Sequence, residues 1–231
     1  MRLARADGTL APGIQALSLP GGWSNWSPQL GDFNGDGILD VAAVKMNTDG
    51  HAAAIYLGRS DGRFEPEILA FSESGNWSGY SLQMGDFNGD GVTDFAAVKM
   101  NADAYRVYLH LGLGSGTYGA SMLAVNEVGG WGNYSPYLGD FNGDGVADFA
   151  AVKMNSTGYK VVIHSGRGDG TFGAYSIPID EPGGWSNFSP FPGDFNGDGL
   201  TDLAAIKVSS TDHKADRVSA IWERSDRDDL L

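Results

Sequence analysis

Gly31-Asp32-Phe33-Asn34-Gly35-Asp36-Gly37 recurs unchanged from Gly85, Gly139 and Gly193, at a constant interval of 54. The same interval relates Trp23, Trp77, Trp131 and Trp185, and again Lys45, Lys99, Lys153 and Lys207. Self-similarity at a fixed period of this length is the mark of a repeat architecture. The chain is therefore read as four copies of one unit, near 20–73, 74–127, 128–181 and 182–231, the last completed by 1–19, all within one domain.

Working outward from the first heptapeptide, four apolar runs fill one unit: Ser27 to Phe33, Ile38 to Met46, Ala52 to Gly58 and Phe64 to Phe71. Turn residues separate them at Asn34-Gly35-Asp36-Gly37, Asn47-Thr48-Asp49-Gly50 and Ser60-Asp61-Gly62. Gly or Asp interrupts every stretch before a 3.6-residue stripe develops, which excludes helices. Four short strands joined by tight turns make an antiparallel meander, the blade of a β-propeller. The expected fold is all-β. Asp7-Gly8-Thr9-Leu10 aligns with Asp61-Gly62-Arg63-Phe64, so the N-terminus should supply a lone fourth strand, roughly Thr9 to Leu19. The C-terminus should stop at a third strand, Val218 to Glu223. Joining them closes the last blade and removes an open edge. A four-bladed ring in one chain and an eight-bladed homodimer formed by blade exchange both satisfy this arithmetic.

Composition narrows the function. Of 231 residues, 35 are glycine, about twice ordinary usage. The hydrophobic fraction of 42% suffices for a core. A net charge of −14 with scattered Lys and Arg would repel a phosphate backbone, so no nucleic-acid partner is expected. The absence of Cys excludes disulfides, thiolate sites and a Cys nucleophile. No apolar run reaches the length of a membrane span. Met1 to Gly8 lacks the apolar stretch of a secretion signal.

Each unit carries Asp-x-Asn-x-Asp-Gly-x-x-Asp: Asp32, Asn34, Asp36 and Asp40; Asp86, Asn88, Asp90 and Asp94; Asp140, Asn142, Asp144 and Asp148; Asp194, Asn196, Asp198 and Asp202. Hard oxygen donors at alternate positions, with a Gly permitting a sharp turn, suit Ca²⁺. Ile38, Val92, Val146 and Leu200 would each add a backbone carbonyl. Three carboxylates in one short loop repel unless a cation neutralises them. Four Ca²⁺ ions, one per repeat, would move the net charge from −14 to about −6. Metal-free Asx turns are the alternative. Four identical sites suit a structural staple, and weak sites fill only outside the cell, so a secreted or cell-surface protein is expected.

Before each loop lies a second repeated patch, with Trp23, Asn25 and Trp26; Trp77 and Tyr80; Trp131, Asn133 and Tyr134; Trp185, Asn187 and Phe188. Aromatic faces beside amides on a Gly-rich connector suit sugar rings and their hydroxyls. The alternative is that these aromatics wedge neighbouring blades together. The repeated lysines are read as snorkelling or pairing with Glu73, Glu127 or Glu181, in preference to lining a pocket. Of the four histidines only His110 and His164 are repeat-equivalent, with Tyr56 in that place in the first copy, and their spacing forms neither a triad nor a metal cluster.

The Gly-Asp-Phe-Asn-Gly-Asp-Gly-x-x-Asp loops, with Asp169-Gly170-Thr171-Phe172-Gly173, resemble the FG-GAP/VCBS repeats of integrin-α-type propellers. The resemblance covers essentially the whole chain. It implies a calcium-bearing propeller, usually of seven or eight blades, in secreted or surface proteins, toxins and lectins. This chain departs in having four repeats, and in replacing Phe-Gly by Phe64-Glu65 and Leu10-Ala11. The Gly-Gly-Trp connector is similar to one in fungal propeller lectins. The expected function is therefore non-catalytic, multivalent glycan binding on a calcium-stabilised propeller. The alternatives are a structural or protein-interaction module of a larger secreted protein or toxin and, third, a polysaccharide-active enzyme. Nearly every polar group recurs three or four times, whereas an active centre needs different groups at one place.

Overall fold

The computed structural model describes residues 4, 6–13, 15–17 and 24–207. Among them every regular element is a strand. The first sheet orders β1 (Ser27–Gly31), β2 (Asp40–Met46), β3 (Gly50–Tyr56) and β4 (Ile68–Ser74) as an antiparallel meander. The second is β5 (Ser81–Gly85), β6 (Asp94–Met100), β7 (Ala104–His110) and β8 (Met122–Val128). The third is β9 (Ser135–Gly139), β10 (Asp148–Asn155), β11 (Gly158–His164) and β12 (Ser176–Pro182). A two-stranded sheet of β13 (Phe188–Gly193) and β14 (Asp202–Lys207) begins the fourth copy.

Each sheet follows from local chemistry. Asn47 caps its own hairpin: its side-chain oxygen accepts the N–H groups of Asp49 at 2.9 Å and Gly50 at 3.1 Å, and its N–H donates to the Gly50 carbonyl at 3.0 Å. Such Asx bonding is why Asn starts turns. Strands β2 and β3 are buried along most of their length, so both read as apolar runs instead of alternating.

The fourth strand of the unit differs from expectation. It begins at Ile68, four residues after Phe64. Phe64 makes only an isolated bridge to Gly58, and Pro66 follows, with no N–H to give a ladder. A register shift between Ala53 and Ala54 then resets the pairing. Copies two and three repeat the bridge at Gly112–Tyr118 and Gly166–Phe172. Near the N-terminus, Ala4–Leu10 is the same bridge one repeat earlier. Of the expected N-terminal strand, Thr9 to Leu19, the described residues 9–13 and 15–17 carry only this bridge at Leu10, and the expected strand Val218 to Glu223 lies outside the described residues.

Contacts divide the chain into two compact units. One comprises Met1–Asp86, Asp90–Lys99 and Val107–Leu123; the other comprises Phe87–Gly89, Met100–Arg106 and Ala124–Leu231. The core of the first gathers Phe33, Val44, Ile55, Phe71, Phe95 and Tyr118. The core of the second gathers Phe141, Val152, Tyr159, Val161, Ile163 and Leu203. In both, the loop phenylalanine joins consecutive copies. Phe33 stacks on Phe95 at 5.3 Å and 20°, and Phe87 stacks on Phe149 at 5.2 Å and 10°. All four rings are fully buried.

Candidate functional site

Two repeated constellations carry chemistry, and they are built differently. The first is the acidic loop. Gly35 and Gly37 adopt φ of 78° and 80°, a region that side chains with a Cβ avoid. That conformation turns the N–H groups of Gly35, Asp36 and Gly37 onto the Asp32 carboxylate at 2.7, 3.1 and 2.7 Å. Asn34 donates to Asp36 at 2.9 Å, and Asp36 accepts from Ile38 at 2.8 Å. The loops at Asp140 and Asp194 repeat these bonds. In the second loop Asp86 accepts from Asp90 at 3.1 Å and Gly91 at 2.8 Å.

The last acid of each loop is placed apart from the others. Asp40 is fully buried; its carboxylate accepts Phe33 N–H at 2.8 Å and Gly58 N–H at 2.6 Å. Asp148 does the same with Phe141 at 2.9 Å and Gly166 at 2.7 Å. Asp94 accepts Gly112 N–H at 2.7 Å, and Asp202 accepts Phe195 N–H at 3.0 Å. Burial pushes the Asp40 and Asp148 carboxyls above the usual carboxylate range; the two N–H donors oppose this, and the other loop acids add to it. The side chain thus bolts the loop to the far hairpin. Among the described residues, no three His, Asp or Glu side chains form a ready-made metal cluster. The donor chemistry remains that of a hard cation: carboxylate and amide oxygens on a turn, with the Ile38, Val92, Val146 and Leu200 carbonyls next to it.

The second constellation is the connector. Trp77, Trp131 and Trp185 are half-buried, and their N–H groups donate to the carbonyls of Asn47, Asn101 and Asn155, the hairpin asparagines, at 2.8, 2.9 and 3.1 Å. Three residues on, Tyr80, Tyr134 and Phe188 return an N–H to the Trp carbonyl at 3.2, 3.0 and 3.1 Å. This turn tilts the two rings together, with centroids 5.1, 5.0 and 4.9 Å apart. On the other side of each Trp lies a buried ring: His51 at 5.0 Å, Tyr105 at 5.3 Å and Tyr159 at 5.0 Å. Trp23 lies outside the described residues. Trp26 is half-buried, Asn25, Asn133 and Asn187 are exposed, and Asn25 lines a 240 Å³ pocket with Gln29, Met46 and Tyr80.

The repeated lysines meet aromatic rings. Lys45, Lys99, Lys153 and Lys207 lie over the rings of Trp26, Tyr80, Tyr134 and Phe188, at 5.9, 5.3, 5.7 and 5.9 Å. The register explains it, since Phe188 sits directly opposite Lys207. Glu73 instead accepts Ser121 N–H at 3.2 Å and lies 3.8 Å from His110 Nε2.

Sequence reasoning also passed over the ring beneath the Trp. His51 is repeat-equivalent after all, standing one repeat before Tyr105 and two before Tyr159. The polar tips of all three (both ring nitrogens of His51, and the Tyr105 and Tyr159 hydroxyls) are buried without a hydrogen bond. Burial, with His110 nearby, drives the His51 pKa down to about 3. Alignment at the repeat interval would have exposed this position.

One connector opens into a pocket. At Trp131, a 230 Å³ recess is lined by Tyr134, Lys160, Val162, Tyr175, Ile177 and residues 128–130. Lys160 is neutralised by Asp180 at 2.9 Å, which raises its pKa. Tyr105 and His164, their rings 5.6 Å apart, lie behind Trp131 and Tyr175 respectively.

Residues 34–97 and 86–151 match the profile of the FG-GAP-like repeat, together half of the chain. No curated protein matches the sequence. Among solved structures, the chain is similar to an Agrocybe aegerita lectin described for specific recognition of non-reducing terminal N-acetylglucosamine. Identity is 24%, coverage 89% of this chain and 54% of the lectin, and TM-score 0.72. It also overlays 89% of its length on an exotype rhamnogalacturonan lyase, YesX, and on a rhamnogalacturonan lyase of Bacillus licheniformis. Identities are 14% and 15%, coverages of those chains 41% and 43%, and TM-scores 0.45 and 0.44, too low to argue from. The chain thus spans about half the length of these structures. The fold is a β-propeller of four-stranded antiparallel blades.

Proposed function

The chain belongs to the FG-GAP-like repeat family, and on that premise we propose that it is a non-catalytic, calcium-loaded propeller module that binds glycans at its Trp connectors. The observation that carries the reading is the pocket at Trp131. It is lined by the half-buried rings of Trp131 and Tyr134, by Tyr175, by Gly129 and Gly130, and by a lysine paired with Asp180. Such a lining favours a neutral saccharide over a charged one. The wedge alternative has its own support, since Trp77, Trp131 and Trp185 each donate to and pack on the preceding copy, at Asn47 and His51, Asn101 and Tyr105, and Asn155 and Tyr159. Similar connectors in a repeat array would add avidity where several engage one glycan surface.

Ca²⁺ is proposed as the counter-ion of each acidic loop, held by oxygens of Asp32, Asn34 and Asp36, the Ile38 carbonyl, and their equivalents, while the buried Asp40 and its counterparts, expected as ligands from the motif, brace the loop from within. Its contribution would be to neutralise crowded carboxylates and stiffen the turn; the chain's own part is to pre-form that turn with two left-handed glycines. Such sites fill in the extracellular range, which supports export.

The test is a glycan-array screen of labelled protein in millimolar Ca²⁺. Binding to a coherent set of terminal neutral sugars, lost in Trp131→Ala with the fold intact, is expected. A blank array with verifiably folded protein would instead indicate a protein-interaction module. A melting temperature unchanged by chelation would remove the calcium assignment.

A further inference from the structure

Lining positions at Trp131 can be compared, one repeat apart, with those at Trp77. The ring pairs match in kind and geometry. Trp77–Tyr80 and Trp131–Tyr134 have centroids 5.1 and 5.0 Å apart, both tilted by 54°. Both carry a lysine over the second ring, at 5.3 and 5.7 Å. The strand linings differ, with Lys160, Tyr175 and Ile177 standing where the earlier copy has Arg106, Ser121 and Leu123, and one further strand position exchanges an aliphatic side chain for a ring. Val162 lines the open pocket beside Trp131. Its counterpart is Tyr108, whose ring stands 5.3 Å from Trp77 at 76° and 6.0 Å from Tyr80 at 61°. A third ring therefore fills, from within the chain, the space that a β-branched aliphatic residue leaves empty one repeat later.

We propose that Tyr108 is an intramolecular plug, holding against Trp77 the place that a saccharide takes against Trp131. The inference rests on reading the Trp131 pocket as a sugar site. The phenol suits the role, presenting a flat apolar body to two aromatic faces and a hydroxyl at its tip. Because it is tethered, it competes at a high effective concentration. A ligand at Trp77 must first displace it, so its apparent affinity falls by the closed fraction. The copies are then unequal in function although their metal-loop motifs are identical, and valency is set by the residue at this strand position rather than by the number of tryptophans.

The test uses the full chain labelled with 5-fluorotryptophan, its ¹⁹F resonances assigned by Trp→Phe substitution, titrated with N-acetylglucosamine. In the unsubstituted protein, the Trp131 resonance should shift and Trp77 should stay still. Tyr108→Val should make Trp77 respond and raise the number of bound sugars by one; Val162→Tyr should weaken binding at Trp131 tenfold or more. Each variant installs the residue its neighbouring copy already carries, so both should fold. A Trp77 response in the unsubstituted protein within threefold of Trp131, or a silent Trp77 in folded Tyr108→Val, overturns the plug. If no resonance answers N-acetylglucosamine, that sugar is not the ligand, the array decides the carbohydrate reading, and the solvent isotope shift of Trp77 in H₂O against D₂O still decides closure. A rise in Tyr108→Val upholds it; no change overturns it.

Discussion

The acidic loop and the Trp connector recur at the same interval, yet one is copied faithfully and the other is edited. At Asp40 and Asp148 the carboxylate accepts two backbone N–H groups, Asp94 accepts Gly112 N–H, Asp202 keeps the Phe195 bond while its other oxygen has no partner among the described residues, and the loop glycines keep the same left-handed backbone throughout. Around Trp77, Trp131 and Trp185 the neighbours change: His51 becomes Tyr105 and Tyr159, and Tyr108 becomes Val162. A buried carboxylate satisfied by two N–H donors tolerates no substitute, because any change strands those donors. A half-exposed ring pair tolerates many neighbours. The loop is where the array is held together; the connector is where its copies can differ.

That contrast can be broken by measurement. The largest effect should come from Phe141→Ala, which empties a fully packed site and should cost about 3–5 kcal/mol in urea unfolding. Asp148→Ala should follow at about 2–4 kcal/mol, since the Phe141 and Gly166 N–H groups lose their acceptor. If Phe141→Ala costs under about 1 kcal/mol, the loop phenylalanine is not what holds consecutive copies; if Asp148→Ala does, the carboxylate is not what closes the loop within its copy.

Acid probes the connector floor. The His51 pKa falls from 6.5 to about 3 on folding, so the unfolded chain binds the extra proton between those values. Its contribution is complete above pH 6.5 and is lost as the pH drops toward 3, with a limiting slope of about 1.4 kcal/mol per pH unit. His110 and His164, also lowered by burial, act in the same direction. Denaturant midpoints measured from pH 7 to pH 4 should therefore fall, and His51→Phe should flatten the fall.

Trp131→Ala should cost less than about 1.5 kcal/mol while abolishing sugar binding; a collapse of the fold would favour the wedge reading. Lys153→Met sits at the bottom of the scale. It removes a half-exposed cation from the Tyr134 ring for about 0.5–1 kcal/mol, visible as a small shift in melting temperature.

Much of this was legible in the sequence. The constant interval, the turns and the all-strand character follow from Gly, Asn and Asp placement. Strand β4 was misplaced because Phe64 looks like a strand residue, whereas its partner is a single glycine and Pro66 breaks the ladder. The bolt formed by Asp40 was hidden because a carboxylate that binds cations and one that accepts N–H groups look alike in a motif. The lysine position depended on cross-strand register, which spacing along one strand does not reveal. Tyr108 and Val162 are both ordinary strand residues, and only the ring facing Trp77 distinguishes them.

The bolt has a consequence for biosynthesis. Asp40 reaches forward to Gly58, and Asp94 and Asp148 reach Gly112 and Gly166 across the same short span. A repeat can thus close its own loop soon after leaving the ribosome, before its successor is made, which keeps contact order low. Identical motifs emerging in series would otherwise invite one copy to pair with the wrong neighbour, the usual failure of repeat proteins. Early local closure gives each copy its partner before a competitor exists.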